Sequence, residues 1–207
     1  MSDVKPTRSE LLLLKKKIKL AKSGHSMLKK KRDGLILEFF KALDKAKNVR
    51  QQMVEKYIEA TQKLSYARAV DGDIAVKSIA VSVKDKPTLE LDSKNIMGVI
   101  VPKIRSGSVR KSLAIRGHGL LSGSAKIDEA ALAYEELVEK VLEAAEYETA
   151  LKRLLQEIDK TKRKVNGLEK VTIPRLEKGA SYIRLRLEEM ERENFSRLKH
   201  IKRSHTE

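Results

Sequence analysis

Cysteine is absent from the chain, and so is tryptophan. Without thiols there is no disulfide, no iron–sulfur cluster and no thiolate metal site. Aromatics make up only 4% of 207 residues, too few for a thick globular core or an aromatic platform for nucleic-acid bases. Prolines number four, and two of them, Pro87 and Pro102, fall in one stretch, 72–123, with six of the ten glycines. The apolar run near the N-terminus is four leucines, Leu11–Leu14, shorter than a signal-peptide core or a membrane span. A soluble, cytoplasmic chain is expected.

Charge is plentiful instead, at 36% of residues with a net +16. Residues 1–70 carry 18 bases against 7 acids, and 71–127 carry 10 against 5. Residues 128–207 balance at 17 each, but 128–148 holds eight acids and one lysine. In an antiparallel arrangement both chain ends would therefore form a basic tip. The acids at 135, 136, 139, 143 and 146 share a helical face and read most simply as solvated.

Residues 8–70 read as one helix. Thr7 and Glu10 form a capping box, and Pro6 discourages an earlier start. A 4-3 spacing then runs through Leu14, Ile18, Ala21, His25, Leu28, Arg32, Leu35, Phe39, Ala42, Ala46, Val49, Met53, Tyr57, Ala60, Leu64 and Ala67. So narrow and long a stripe is a coiled-coil seam that needs a partner helix. At about 1.5 Å per residue the pair would be roughly 90 Å long. The partner begins near Ser124–Asp128, with a seam at Ala130, Tyr134, Leu137, Val141, Ala144, Glu148, Leu151, Leu155, Ile158, Lys162, Val165 and Leu168. Four-residue steps through Thr172, Leu176 and Ala180 then loosen the coil, and Pro174 inside them should bend it.

The expected fold is therefore mainly α: a long antiparallel two-helix coiled coil with a small β-hairpin insert. The helices occupy 1–71 and 124–207, with 72–123 between them as hairpin and flexible connection. Its strands are expected at Ile74–Val83 and Ile96–Ile104, joined by a turn in Lys84–Thr88, with Pro102 marking an edge.

Few residues suggest chemistry. The stretch Arg116–Ser124 is rich in glycine, but no lysine follows and no strong strand precedes, so a hinge outweighs a phosphate loop. His25, His118, His200 and His205 show no ligand spacing, and no catalytic constellation is present. No cofactor and no enzyme activity are expected of the chain alone. The lysine triplets Lys15, Lys16, Lys17 and Lys29, Lys30, Lys31, with Arg32, are harder to ascribe to a solvated face, because like charges on one turn repel. Nucleic acid is one partner such a chain suits, yet no groove-reading motif appears.

Three blocks carry a resemblance: Pro6–Phe39 with its Lys-Lys-Lys-Arg-Asp, Arg116–Ala130, and Lys160–Lys202 with Val-Asn-Gly-Leu-Glu and Ile-Pro-Arg-Leu-Glu around Pro174. In this order and spacing they resemble the D subunit of the rotary A-type and V-type ATPases. Gly167 stands where that family usually has alanine. The resemblance implies a non-catalytic rotor axle with its paired helix ends inside a hexamer of catalytic and regulatory subunits. It implies contacts with the small F subunit and with a socket subunit of the membrane ring, one copy per complex, and a place on the cytoplasmic side of the membrane without insertion. It implies a part in ATP synthesis or hydrolysis coupled to proton or sodium transport. With the family's orientation, the charge pattern nominates Lys15, Lys16, Lys17, Lys29, Lys30, Lys31, Arg32, Arg184, Arg186, Arg192 and Arg197 as partner contacts. A basic coiled-coil adaptor for nucleic acid is the alternative, and a nucleotide-binding enzyme built on the glycine stretch is a weaker one.

Overall fold

The computed structural model describes residues 6–82, 88–106, 109 and 124–204. The elements are α1 (Arg8–Asp71), α2 (Asp73–Ser82), β1 (Leu89–Ile96), β2 (Val99–Ser106), α3 (Ala125–Gly167), a π-turn (Leu168–Thr172) and α4 (Ile173–Ser204). Two compact units emerge, one of Met1–Gly34 with Ile158–Glu207 and one of Leu35–Glu157. Each is built on helices paired in opposite directions, and the hairpin belongs to the second. The mainly α coiled coil with a β-hairpin insert is what the sequence leads one to expect. Among the described residues no helix is long and apolar enough to cross a membrane.

Local chemistry sets the ends of the helices. The Thr7 hydroxyl accepts the Glu10 N–H at 3.2 Å, which starts α1. Ser124 does the same for α3, accepting the Lys126 N–H at 3.1 Å. Gly72, at φ +85°, separates α1 from α2 in a conformation that a side chain would strain.

The seam of α1 follows the expected positions, with Leu35, Ala60 and Ala67 fully buried; Tyr57, 57% exposed, is the departure. Lys56 is half-buried beside it and reaches Glu136 on α3 at 2.9 Å. After Tyr134, which is half-buried as expected, the α3 seam differs from expectation at every second position. Val141, Glu148, Leu155 and Lys162 lie exposed, while Ala133, Leu154 and Thr161 are buried and Lys140 and Tyr147 half-buried. The true spacing is 3-4 where 4-3 was expected. Adjacent apolar pairs such as Leu154–Leu155 fit either phase, and Lys140 and Thr161 disguise the right one.

In the first unit the π-turn corrects the phase of the seam. Ile158, Thr161, Val165 and Leu168 face inward or partly so. An unbroken heptad would next turn Arg175, Tyr182 and Arg186 inward, but these are exposed, and Leu176, Ile183 and Leu187 take their places. One extra residue, absorbed in a single wide turn, accounts for the shift. The Ile173 N–H bonds the Leu168 carbonyl five residues back, and the Thr172 hydroxyl donates to the Gly167 carbonyl at 3.2 Å. Pro174 is the second residue of α4, where the wider turn before it relieves the clash of its ring with the preceding carbonyls.

Between the helices the structure overturns the expected strand assignment. Asp73–Ser82 is a helix: Val76 and Ile79, three residues apart, pack on Ala67, Ile127 and Ala130 near the end of α1. Period-2 and helical patterns are hard to separate in so short an apolar run, and packing decides for helix. The hairpin pairs β1 with β2, and the expected strand Ile96–Ile104 is cut by a two-residue turn at Met97–Gly98. Both turn residues have positive φ, 51° and 86°, and the Asn95 side-chain oxygen accepts the Gly98 N–H at 2.8 Å. Methionine is a poor sequence signal for such a turn. The expected turn at Lys84–Thr88 lies largely outside the described residues, and the glycine-rich stretch lies there apart from Ser124.

Candidate functional site

The basic residues singled out above are placed by the helix seams. In α1 the buried Leu14 and half-buried Ile18 leave Lys15, Lys16 and Lys17 exposed between them. Fourteen residues on, two full heptads, Lys29 and Lys30 are exposed in the same phase, about 21 Å along the axis. Among the described residues none of these five has an ion pair. Lys31 is half-buried with a polar partner. Arg32 differs: its side chain is only 26% exposed, and its guanidinium donates to Asp33 Oδ1 from Nε at 3.0 Å and Nη2 at 2.8 Å.

On α4 the arginines are exposed but not equally available. Arg184 Nε pairs with Glu188 at 3.0 Å. Arg186 pairs with Glu189 at 2.8 Å, which holds its pKa above the usual arginine value. Arg192 and Arg197 have no ion pair among the described residues. Only Arg184 is brought beside α1, in a shallow cleft with Arg8, Leu11, Leu12, Leu187 and Glu191, where Arg8 and Glu191 form an ion pair. The rest do not converge on one pocket. The arrangement is a dispersed basic surface, suited to contact with an extended acidic partner.

Charge counting overlooked the pairing of acids across the helices. In the first unit Lys22 meets Glu177 at 2.8 Å, and the half-buried His25 lies 3.5 Å from Glu169. In the second, Lys56 bridges Glu136 and Glu59, and Lys63 joins Glu59 at 2.6 Å. The hydrogen bonds that Lys56 donates to Glu136 and Glu59 raise its pKa, and those that Glu59 accepts from Lys63 and Lys56 lower that of Glu59. The acid face of α3 is thus not simply solvated. Glu143 binds Lys140, Glu146 accepts the Ile104 N–H, and Glu135 and Glu139 also have partners. Their spacing opposite α1 lysines was the available signal.

Exposed apolar side chains were also missed. From Glu189 to Arg203 every residue of α4 is exposed, Phe195, Leu198 and Ile201 among them at three-residue steps. No group of acids and histidines among the described residues could hold a metal ion. His118 and His205 lie outside the described residues, and His200 is exposed.

Comparison with known proteins is specific. A family profile described as the D subunit of ATP synthase matches residues 10–203. The chain is 59% identical to the D subunit of the A-type ATP synthase of Methanosarcina acetivorans over 200 residues, 97% of this chain and 96% of that one. It is 58% identical to that of Methanococcoides burtonii, covering 98% of each. It is 52% identical to that of Archaeoglobus fulgidus, covering 98% of this chain and 97% of the relative.

Proposed function

The chain belongs to the D-subunit family of ATP synthases, and on that premise we propose that it is the central-stalk component, the rotor axle, of a rotary A-type ATP synthase. It has no catalytic role of its own. It carries torque between a membrane ring that moves protons or sodium ions and the hexamer that makes or hydrolyses ATP. The single observation behind this reading is the likeness to an A-type D subunit along almost the whole of both chains, 97% and 96% in one case. The alternative of a nucleic-acid adaptor gains no support from the same comparisons.

The structure suits the task. A shaft under torque needs helices that cannot turn about their own axes independently, and knobs seated in a partner's holes prevent that. Unbroken over 64 residues, α1 supplies one such seam, with α3 and α4 supplying the facing ones. Ion pairs reach from α1 to those helices at Arg8, Lys22, Arg50 and Lys56.

The partners in this reading are the catalytic and regulatory subunits of the hexamer, the small F subunit and the socket subunit of the membrane ring. The chain is peripheral, on the cytoplasmic side, one copy per complex. The exposed lysines of both α1 triplets, with Arg192 and Arg197, are the foremost contacts, since each has a free charge to offer acidic loops. Such contacts bias a catalytic site only if they change with rotor angle, because a ligand shifts an equilibrium only through differential affinity.

Native mass spectrometry of the chain mixed with the hexamer and the F subunit tests the proposal. The expected mass holds one copy of the chain and one F subunit per six ring subunits. Several copies per ring, or none, would overturn it.

A further inference from the structure

The two edges of the hairpin are treated differently. On β2 the Ile104 N–H donates to Glu146 Oε2 at 3.0 Å, and the Ile100 carbonyl accepts from Arg153 Nη1 at 2.7 Å. Both residues therefore turn their main-chain groups away from β1, toward α3. Pro102, midway between them and in the same phase, has no N–H to expose and takes no bond from the ladder. One edge is thus closed by a glutamate, an arginine and a proline.

Register then determines what the other edge displays. Leu91 lies opposite Ile104, Ser93 opposite Pro102 and Asn95 opposite Ile100. In antiparallel pairs of this wide type both residues turn N–H and C=O outward. The outer edge of β1 therefore presents the main chain of Leu91, Ser93 and Asn95, with Leu89 in the same phase. Among the described residues nothing bonds to it. The strand is eight residues long, has no proline and no bulge, and is exposed from Leu89 through Asn95. Of the usual devices that protect an edge, only charged side chains are present along it, at Glu90, Asp92 and Lys94, and all three lie in the phase opposite to Leu89, Leu91, Ser93 and Asn95. On the face shared by these four residues Leu89 and Leu91 lie open to solvent.

We propose that β1 is a docking edge at which a neighbouring subunit of the assembly adds an extended segment as a third, antiparallel strand. This rests on the central-stalk reading above. Main-chain bonding would hold the segment, and side chains would select it. Apolar residues at alternate positions would cover Leu89 and Leu91. Basic residues in the other phase would lie opposite Glu90 and Asp92, as Arg105 and Lys103 of β2 already do on the inner side; Arg105 reaches Asp92 at 2.7 Å.

Ser93→Pro gives a clean test. The Ser93 N–H points outward, so proline there leaves the β1–β2 ladder whole, as Pro102 does directly opposite, and blocks only the incoming strand. Leu91→Lys is the second variant, charging the edge without touching the backbone. Hydrogen exchange is read on the full chain alone and within the assembled synthase. The expected result is at least tenfold slower exchange at Leu91, Ser93 and Asn95 in the complex. Both variants should lower affinity for the assembly about tenfold while the isolated chain keeps its melting temperature.

Equal protection in both states would mean that residues 107–123 of this chain cover the edge, and would overturn the proposal. So would protection that grows with concentration of the isolated chain, the mark of a second copy. Unchanged exchange and affinity in the complex would do the same while leaving the stalk reading intact. A chain that never enters the assembly would sink both.

Discussion

Three glycines and two leucines make opposite demands on their surroundings. Gly24 and Gly167 are helical, and a Cβ on either meets nothing within 4 Å. Alanine there removes backbone freedom from the unfolded chain at no steric cost, so Gly24→Ala and Gly167→Ala should each stabilise by about 0.5–1 kcal/mol in denaturant titrations. Gly72 is equally uncrowded but sits at φ +85°. Gly72→Ala should cost about 1–2 kcal/mol, the penalty of a left-handed residue with a side chain. The corrected α3 seam is tested the same way: Leu154 is fully buried and Leu155 half exposed. Leu154→Ala should cost about 2–5 kcal/mol and Leu155→Ala far less, whereas the spacing expected from sequence predicts the reverse.

At the scale of elements, what could be read from the sequence was whatever repeats. Sixteen seam positions of α1 are regular enough to survive two polar intruders, His25 and Arg32, so that helix was legible almost throughout. On α3 the phase was not, because Leu154 and Leu155 are equally apolar and only packing chooses. The hairpin was placed a strand too early. Its first strand, Leu89–Ile96, is polar and open to water, and its turn hides behind Met97. Short helix α2 hid because Val76 and Ile79 bury themselves on neighbours far along the chain. Of the basic residues, sequence alone located them but could not tell free lysines from Arg32, already tied to Asp33.

The π-turn makes its own prediction at this scale. Deleting Val171 should restore ordinary helical spacing and leave Ile183 and Leu187 on the seam. Pro174 would then sit in a regular helix at a cost of about 3 kcal/mol. The deletion combined with Pro174→Ala should therefore melt within a few degrees of the parent by circular dichroism. The deletion alone should melt well below it, and so should deletion of Ser181, which throws the seam out of phase with nothing to absorb the change.

For the whole molecule, the net charge of +16 matters through where it is free. Five lysines of the two α1 triplets, Lys15, Lys16, Lys17, Lys29 and Lys30, are exposed and have no ion pair among the described residues, while many other bases are occupied by acids along the helices. Reversing Lys29 and Lys30 to glutamate should reduce coupled ATPase activity of the assembled enzyme several-fold, with the stoichiometry of the complex unchanged. Equal activity would remove these two from the contact set. The effect should be larger at low ionic strength, because salt screens exposed charges within about 10 Å at 0.1 M.

The wide turn at Leu168–Thr172 also governs how this chain can be recombined with its relatives. On either side of it, inward positions are counted on two different rulers offset by one residue. A chimera joined upstream of Gly167 or downstream of Pro174 inherits the turn from one parent whole, and both halves of its seam stay aligned. A junction that drops or duplicates a residue inside the turn transfers a helix rotated by about 100°, presenting Arg175, Tyr182 and Arg186 where Leu176, Ile183 and Leu187 belong. Sequence identity at the splice point would give no warning of it.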